Sequence, residues 1–338
     1  MKPWGLALAA ALLLLAGRAA AGDTLARVQA RGELVCGVHN GGSPLSRQTA
    51  EGPWRGFNVA FCRALAAAVL KDADAVRFVP VLPENRLDRL AAGDLDVLMS
   101  GIGGTAARES ARPVTFVTPW LLFGQKVLAR RDLGAERLAG VDAATACLVK
   151  ADTAQRNLRR AARTHGIDLR VETVASYRMA VEGLASGRCD LLATDTLALH
   201  IIKARFLGRP DDYVIFPDPI SRGGNSIAVR ADSWRWFKLV RWLRNGLVLA
   251  ERYGITRANV ADRAADGNSR TRRLLGAEGA VWGDLAPDAR WLRRAIAAVG
   301  NYGGIYARYF GPDGAVPVPR GPNRLVRDGG AIRAPALP

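Results

Sequence analysis

At 338 residues, with 49% hydrophobic and 23% charged residues, the chain has the composition of a globular protein long enough for two domains; disorder and fibrous repeats are excluded. The formal charge of +17 comes from arginines scattered through an alanine-rich chain, not from a dense basic arm. That argues against nucleic acid as a partner and leaves either plain arginine richness or attraction to acidic ligands or anionic surfaces.

The first element is a leader. Lys2 supplies a positive head, Gly5 to Ala16 is almost wholly apolar with leucines from Leu12 to Leu15, and Ala19 and Ala21 form the small-x-small pattern of a cleavage site. The apolar run is about 12 residues, where a spanning helix needs roughly 20, so residues 1–21 read as a signal peptide cut near Gly22. The mature chain then has about 317 residues and a charge of about +15. Export into an oxidising compartment makes disulfides the expected state of Cys36, Cys62, Cys147 and Cys189. Zinc would need closely spaced ligand pairs; no C-x-x-C occurs and there are three histidines.

Asp23 to Arg31 is a polar amphipathic start. Gly32 to Val38 reads as a strand entering the loop Gly41-Gly42-Ser43-Pro44. Gly56 to Cys62 leads into a helix over Arg63–Val69, Val76–Leu82 is a strand, and Arg86–Ala92 is a helix ended by Gly93. Leu95–Met99 is a strand followed by Gly101-Ile102-Gly103-Gly104. The plan restarts near residue 139: strand Ala144–Val149, helix Thr153–Thr164, strand Leu169–Thr173, helix Tyr177–Ser186 closed by Gly187, and strand Leu191–Ala193. Alternating strands and helices predict α/β architecture with parallel pairing. Gln125–Ala129 and Ser226–Val229 are strands placed to be two crossings between lobes, and the chain after Trp234 returns to the first. The expected division is 22–127 with 229–338 as lobe 1 and 128–228 as lobe 2. Four cysteines allow three pairings, and this layout favours Cys36–Cys62 and Cys147–Cys189, one in each lobe. Beyond Ala250 come helical patches and turn-forming stretches around Gly311-Pro312-Asp313-Gly314 and Pro317 to Pro322.

Several blocks carry a family resemblance: Gly56-Phe57-Asn58-Val59-Ala60-Phe61-Cys62, Gly187-Arg188-Cys189-Asp190-Leu191-Leu192-Ala193-Thr194-Asp195, Tyr253-Gly254-Ile255-Thr256-Arg257-Ala258-Asn259-Val260, Val299-Gly300-Asn301-Tyr302-Gly303 and Gly329-Gly330-Ala331-Ile332. Through them the chain resembles the periplasmic general L-amino-acid-binding proteins of polar amino-acid ABC importers. The resemblance spans nearly the whole mature chain. It implies a two-lobed type II periplasmic binding protein, each lobe a mixed sheet flanked by helices, with a two-strand hinge that closes on an amino acid. It also implies periplasmic location, a monomer, delivery to an inner-membrane ABC permease, and no cofactor or metal.

An amino acid presents a carboxylate and an ammonium, so its site needs a cation and an anion at matching separation. Arg108 closes Gly104-Thr105-Ala106-Ala107-Arg108, which resembles the family's T-x-x-R, whose arginine holds the α-carboxylate with a planar fork. Ser100, Gly101 and Thr105 belong to the same loop. Asp195 follows the strand Leu191–Ala193 where the family's aspartate accepts from the α-ammonium; a helix cap is its structural alternative. The family has Gly-Thr-Thr where this chain has Ala151-Asp152-Thr153. Asp152 with Gln155 makes a D-x-x-Q cap that would compete with a ligand anion, so either the carboxylate relies on Arg108 alone or Asp152 makes the pocket prefer a ligand with an extra positive group; Thr153 remains a contact. Arg86 and His39 resemble side-chain contacts of acidic-ligand binders. Asn58 reads as a structural hydrogen-bonder, Asp190 as structural, and Leu45 stands where an aromatic often packs on the ligand, with Trp54 and Trp120 as substitutes. Two other functions fit the sequence: a divergent sensing or accessory module without transport, and a periplasmic enzyme resembling cyclohexadienyl dehydratase, with Asp152 or Asp195 as acid or base. No arrangement suited to a hydrolytic triad is visible, and binding without catalysis is the expectation.

Overall fold

The computed structural model describes residues 23–39, 44–49, 52–150, 153–314 and 316–337. The leader and Asp152 lie outside the described residues. The chain divides into two compact units. Unit 1 holds the residues up to Trp120, Asn225–Tyr309 and Gly321 onward; unit 2 holds Leu121–Gly224 and Phe310–Arg320. The sequence reading put the first boundary near residue 128 and gave 310–320 to lobe 1. In the structure the chain changes unit after Trp120 and Gly224, and residues 310–320 join unit 2, where the Phe310 ring meets Phe123 edge-on with centroids 6.1 Å apart.

Unit 1 opens with α1 (Thr24–Arg31), capped by Asp23, whose carboxylate accepts from Leu25 N, and stopped by Gly32 at φ 71°. Its sheet runs β4 (Val76–Pro80), β1 (Leu34–Val38), β5 (Val97–Ile102), β12 (Asn225–Arg230), β6 (Val114–Leu121). β1 is parallel to both β4 and β5, while β12 is antiparallel to β5. All five residues of β1 are buried, as a central parallel strand with both faces covered must be. The covering helix α2 (Phe57–Leu70) buries 12 of its 14 residues. It starts six residues earlier than the sequence reading placed it, because Gly56 at φ 146° turns the chain so that Phe57 N and Asn58 N donate to Pro44 O and Leu45 O, each at 2.9 Å. A Cβ at Gly56 would come within 2.2 Å of Leu45 O. Helix α3 (Arg86–Ala92) ends on Gly93 at φ 91°. The two-residue strands β2 (Arg47–Gln48) and β3 (Trp54–Arg55) pair as a small hairpin. Helix α4 (Ala106–Ala111) follows β5, and Cys36 on β1 is joined to Cys62 on α2.

Unit 2 repeats the plan. Its sheet runs β11 (Tyr213–Ile215), β7 (Gln125–Arg130), β10 (Leu191–Asp195), β8 (Ala143–Val149), β9 (Asp168–Val174). β8 is parallel to β9 and β10, and β7 is antiparallel to β10 and β11. Helices α5 (Thr153–His165), α6 (Tyr177–Ala185) and α7 (Thr196–Arg205) cover it. On one face Val127, Ala146, Leu158 and Leu191 pack together; on the other Leu128, Leu184, Leu192 and Leu199 do. That division follows from the two-residue period of a strand. Cys147 on β8 is joined to Cys189, just before β10. No helix among the described residues is long and apolar enough to cross a membrane.

Candidate functional site

In unit 1, β4, β1 and β5 point the same way, so their carboxyl ends share one edge of the sheet. Ligands of open α/β sheets sit beyond that edge. His39 follows β1 directly, Ser100 and Gly101 lie in the last part of β5, and Arg86 begins the helix after β4. Arg86 reaches back to β5: its Nη1 donates to Ser100 O at 3.0 Å and lies 3.5 Å from Ser100 Oγ. Thr105 caps α4, its Oγ1 accepting from Arg108 N at 3.3 Å. One turn on, Arg108 folds back and its Nη1 donates to Gly103 O at 2.5 Å. The structure therefore gathers Arg86, Ser100, Thr105 and Arg108 around one loop.

The electrostatics of this loop favour an anion. Neither Arg86 nor Arg108 has a carboxylate partner among the described residues. Arg86 is held below the usual arginine range, first by burial and then by the positive charge of Arg108, with Glu84 opposing weakly. Its Nε is buried and unmet by any acceptor among the described residues. Two guanidinium groups that raise each other's energy are relieved by a carboxylate beside both. His39 is half-buried, and its backbone carbonyl accepts from Ser46 Oγ. Asn58 is structural, donating to Met99 O at 2.9 Å inside the core.

The aromatic substitutes do not serve a ligand. Trp120 is fully buried, stacked on Phe57 at 4.8 Å and edge-on to Tyr302 at 5.1 Å. Trp54 is buried against Phe78. A large ring gains most by leaving water entirely, and both rings are spent on packing.

In unit 2, Asp195 ends β10 and caps α7, its Oδ1 accepting from Leu197 N at 3.0 Å. The helix-cap alternative is thus realised. Burial pushes the Asp195 carboxyl up, and hydrogen bonds from Leu197 N and Ala198 N hold it part of the way back. In register with Asp195 across the sheet is Gln125. Its Nε2 donates to Thr153 Oγ1 at 2.8 Å, and its Oε1 accepts from Asn157 Nδ2 at 2.7 Å. Thr153 therefore stands at the start of α5 beside the carboxyl end of β8, tied to the strand that neighbours Asp195. Gln155 turns to Thr173 Oγ1 at 3.4 Å. Asp190 is structural, accepting from Thr145 N at 2.8 Å.

Sequence reasoning missed Gln125, Asn157 and Tyr177, whose hydroxyl accepts from Thr194 Oγ1 at 2.8 Å. A glutamine at the start of a predicted strand was the available signal for the first; nothing local marks the others. The one cluster with metal-ligand character among the described residues, Cys147, Glu172 and Cys189, has both sulfurs in the disulfide and so offers no thiolate.

The profile of the bacterial extracellular solute-binding proteins, family 3, matches residues 34–312. The chain is 35% identical over 326 residues to the glutamate/glutamine/aspartate/asparagine-binding protein BztA of Rhodobacter capsulatus, covering 96% of each chain. It is 32% identical to the general L-amino acid-binding periplasmic protein AapJ of Rhizobium johnstonii, covering 98% of this chain and 97% of that one. Among solved structures, a periplasmic binding protein of an ABC transporter from Brucella ovis with glutathione bound superposes with a TM-score of 0.80 at 32% identity, covering 94% of this chain and 99% of that one. The fold is that of the type II periplasmic binding proteins. Strand order, the cationic loop after β5 and these matches lead to one conclusion: the chain belongs to the bacterial extracellular solute-binding proteins, family 3.

Proposed function

We propose that this protein binds an L-amino acid in the periplasm and delivers it, as a monomer, to an inner-membrane ABC permease. The observation that carries the reading is the pair Arg86 and Arg108, mutually repelling and without carboxylate partners among the described residues, on a relative of proteins named as amino-acid binders. Arg108 takes the α-carboxylate and Asp195 accepts from the α-ammonium, with Ser100, Gly101 and Thr105 lining the first and Thr153 the second. Arg86 and His39 face the ligand side chain, which favours an acidic or amide amino acid. Three or four charge-assisted hydrogen bonds of about 1.5–3 kcal/mol each, less ordering costs, reach the roughly 8 kcal/mol of a micromolar ligand.

A thermal-shift series over the twenty amino acids tests this. A ligand at a hundredfold excess over its Kd adds about 2.7 kcal/mol, so glutamate, glutamine, aspartate or asparagine should raise the melting temperature. No shift with any amino acid rejects the reading. Glutathione belongs in the same series: it carries two carboxylates and an α-ammonium, which suits two guanidinium groups, and the Brucella ovis relative holds it. The proposal is of binding without chemistry, and unchanged prephenate and arogenate after incubation with the protein are expected.

A further inference from the structure

Positive charge and an exposed aromatic ring meet at one place in unit 1. Helix α8 (Trp234–Arg252) starts at Ser233, whose Oγ accepts from Trp236 N at 3.1 Å. Trp236 faces inward and its Nε1 donates to Asp96 O at 2.9 Å, which pins the helix start beside the amino end of β5. The outward side carries Trp234, 65% exposed and stacked on Phe237 at a centroid distance of 4.9 Å and an interplanar angle of 15°. Lys238 Nζ lies 6.0 Å from the Trp234 ring, and the Arg241 guanidinium lies 5.5 Å from the Phe237 ring. Arg235 is exposed beside them. None of these three cations has a carboxylate partner among the described residues. The adjacent acid, Asp232, is engaged by Arg27, Arg230 and Thr24.

We infer that this face of α8 binds an anionic bilayer surface. A water-facing indole stacked on a phenyl ring is an apolar patch that marks an interaction surface. Ringed by three unpaired cations, it has the composition of an interfacial helix: aromatic rings enter the headgroup boundary while Lys238, Arg235 and Arg241 meet phosphates. The mature chain's charge of about +15 adds attraction within a Debye length of an anionic leaflet. A neutral or cationic partner does not account for three uncompensated cations on one side of one helix. The placement also suits the molecule. β12 runs antiparallel to β5, so α8 begins at the edge of unit 1 opposite the one that carries Ser100 and Arg108. Attachment there leaves the unit 1 edge of Ser100 and Arg108 on the far side of that unit from the lipid.

Co-sedimentation of the mature protein with vesicles tests the inference. Binding is expected to vesicles of phosphatidylcholine containing about one-third phosphatidylglycerol, not to phosphatidylcholine alone, and to fall as salt rises. The variants Trp234→Ala/Phe237→Ala and Lys238→Glu/Arg241→Glu should each lower partitioning at least about tenfold. They should leave the amino-acid-induced melting shift unchanged, which separates this result from failure of the ligand reading. Arg156→Glu/Arg159→Glu, an equal charge change on exposed positions of α5 in unit 2, should lower partitioning less than about threefold. Equal binding to both vesicle types, an equal loss in the α5 variant, or undiminished binding of the α8 variants overturns the inference. So does binding that needs an embedded permease, which would make the surface a protein-docking face.

Discussion

Unit 1 and unit 2 each build a five-stranded mixed sheet and fasten a central strand with a disulfide, but they finish their candidate edges in opposite ways. At the edge of unit 1, two guanidinium groups repel each other and rest on the carbonyls of Ser100 and Gly103. At the edge of unit 2, one carboxylate is fixed as a helix cap and stands next to an uncharged chain of Asn157, Gln125 and Thr153. The first edge holds unspent donor capacity and has little structural duty. The second has its acceptor already committed to the fold. Under the proposed reading, changes at the unit 1 edge should act on ligand affinity alone, while changes at Asp195 should disturb folding as well.

Substitutions can break or sharpen this contrast. The largest effect is expected from the disulfides, the one feature that both units need equally. Replacing Cys147 and Cys189 by serine opens a link spanning 42 residues, and replacing Cys36 and Cys62 opens one spanning 26. Chain entropy puts each loss at roughly 3–4 kcal/mol, measurable by urea unfolding under oxidising conditions. Next comes Arg108→Ala, which should weaken the best amino-acid ligand about a hundredfold by isothermal titration, roughly 2.7 kcal/mol, while the melting temperature of the free protein stays within a degree or so. A large stability loss there would mean that the unit 1 edge is as structural as that of unit 2.

Asp195→Asn should cost about tenfold in affinity, because asparagine still caps the helix. Its pH dependence carries the sharper test. The Asp195 carboxyl is raised by burial, so its ionisation favours the unfolded chain: its stabilising contribution is full below the unfolded value near 3.8 and declines as pH rises through the folded value. Ligand affinity runs the other way, falling on acidification as the carboxylate protonates, and the asparagine variant should lose that fall. The smallest effect is expected at His200 on α7. Burial, with help from Lys126 and Lys203, holds it down to about 4. Its contribution is full above pH 6.5 and is lost as pH falls toward 4, so His200→Gln should flatten melting temperature against pH in that window alone.

Much of this molecule was legible from local chemistry. The helix Arg86–Ala92 has the limits that its spacing and Gly93 dictate, and the strand read over Gly32–Val38 is present as β1. The cap at Asp195 was visible as local chemistry, since caps act over three or four residues, while Thr105-x-x-Arg108 and the ligand role of Asp195 were visible only through the family resemblance. What only the tertiary structure decided depended on distant partners. Helix α2 begins at Phe57 because the carbonyls of Pro44 and Leu45 arrive to receive its first N–H groups. Trp120 is core and not ligand wall because Phe57 and Tyr302, far apart in sequence, close around it. Gln125 meets Thr153 and Asn157 across 28 and 32 residues through the register of β7 on β10. Local order follows from backbone sterics and side-chain period, which each short segment carries within itself; long-range contacts follow from which segments pack, and no segment carries that alone.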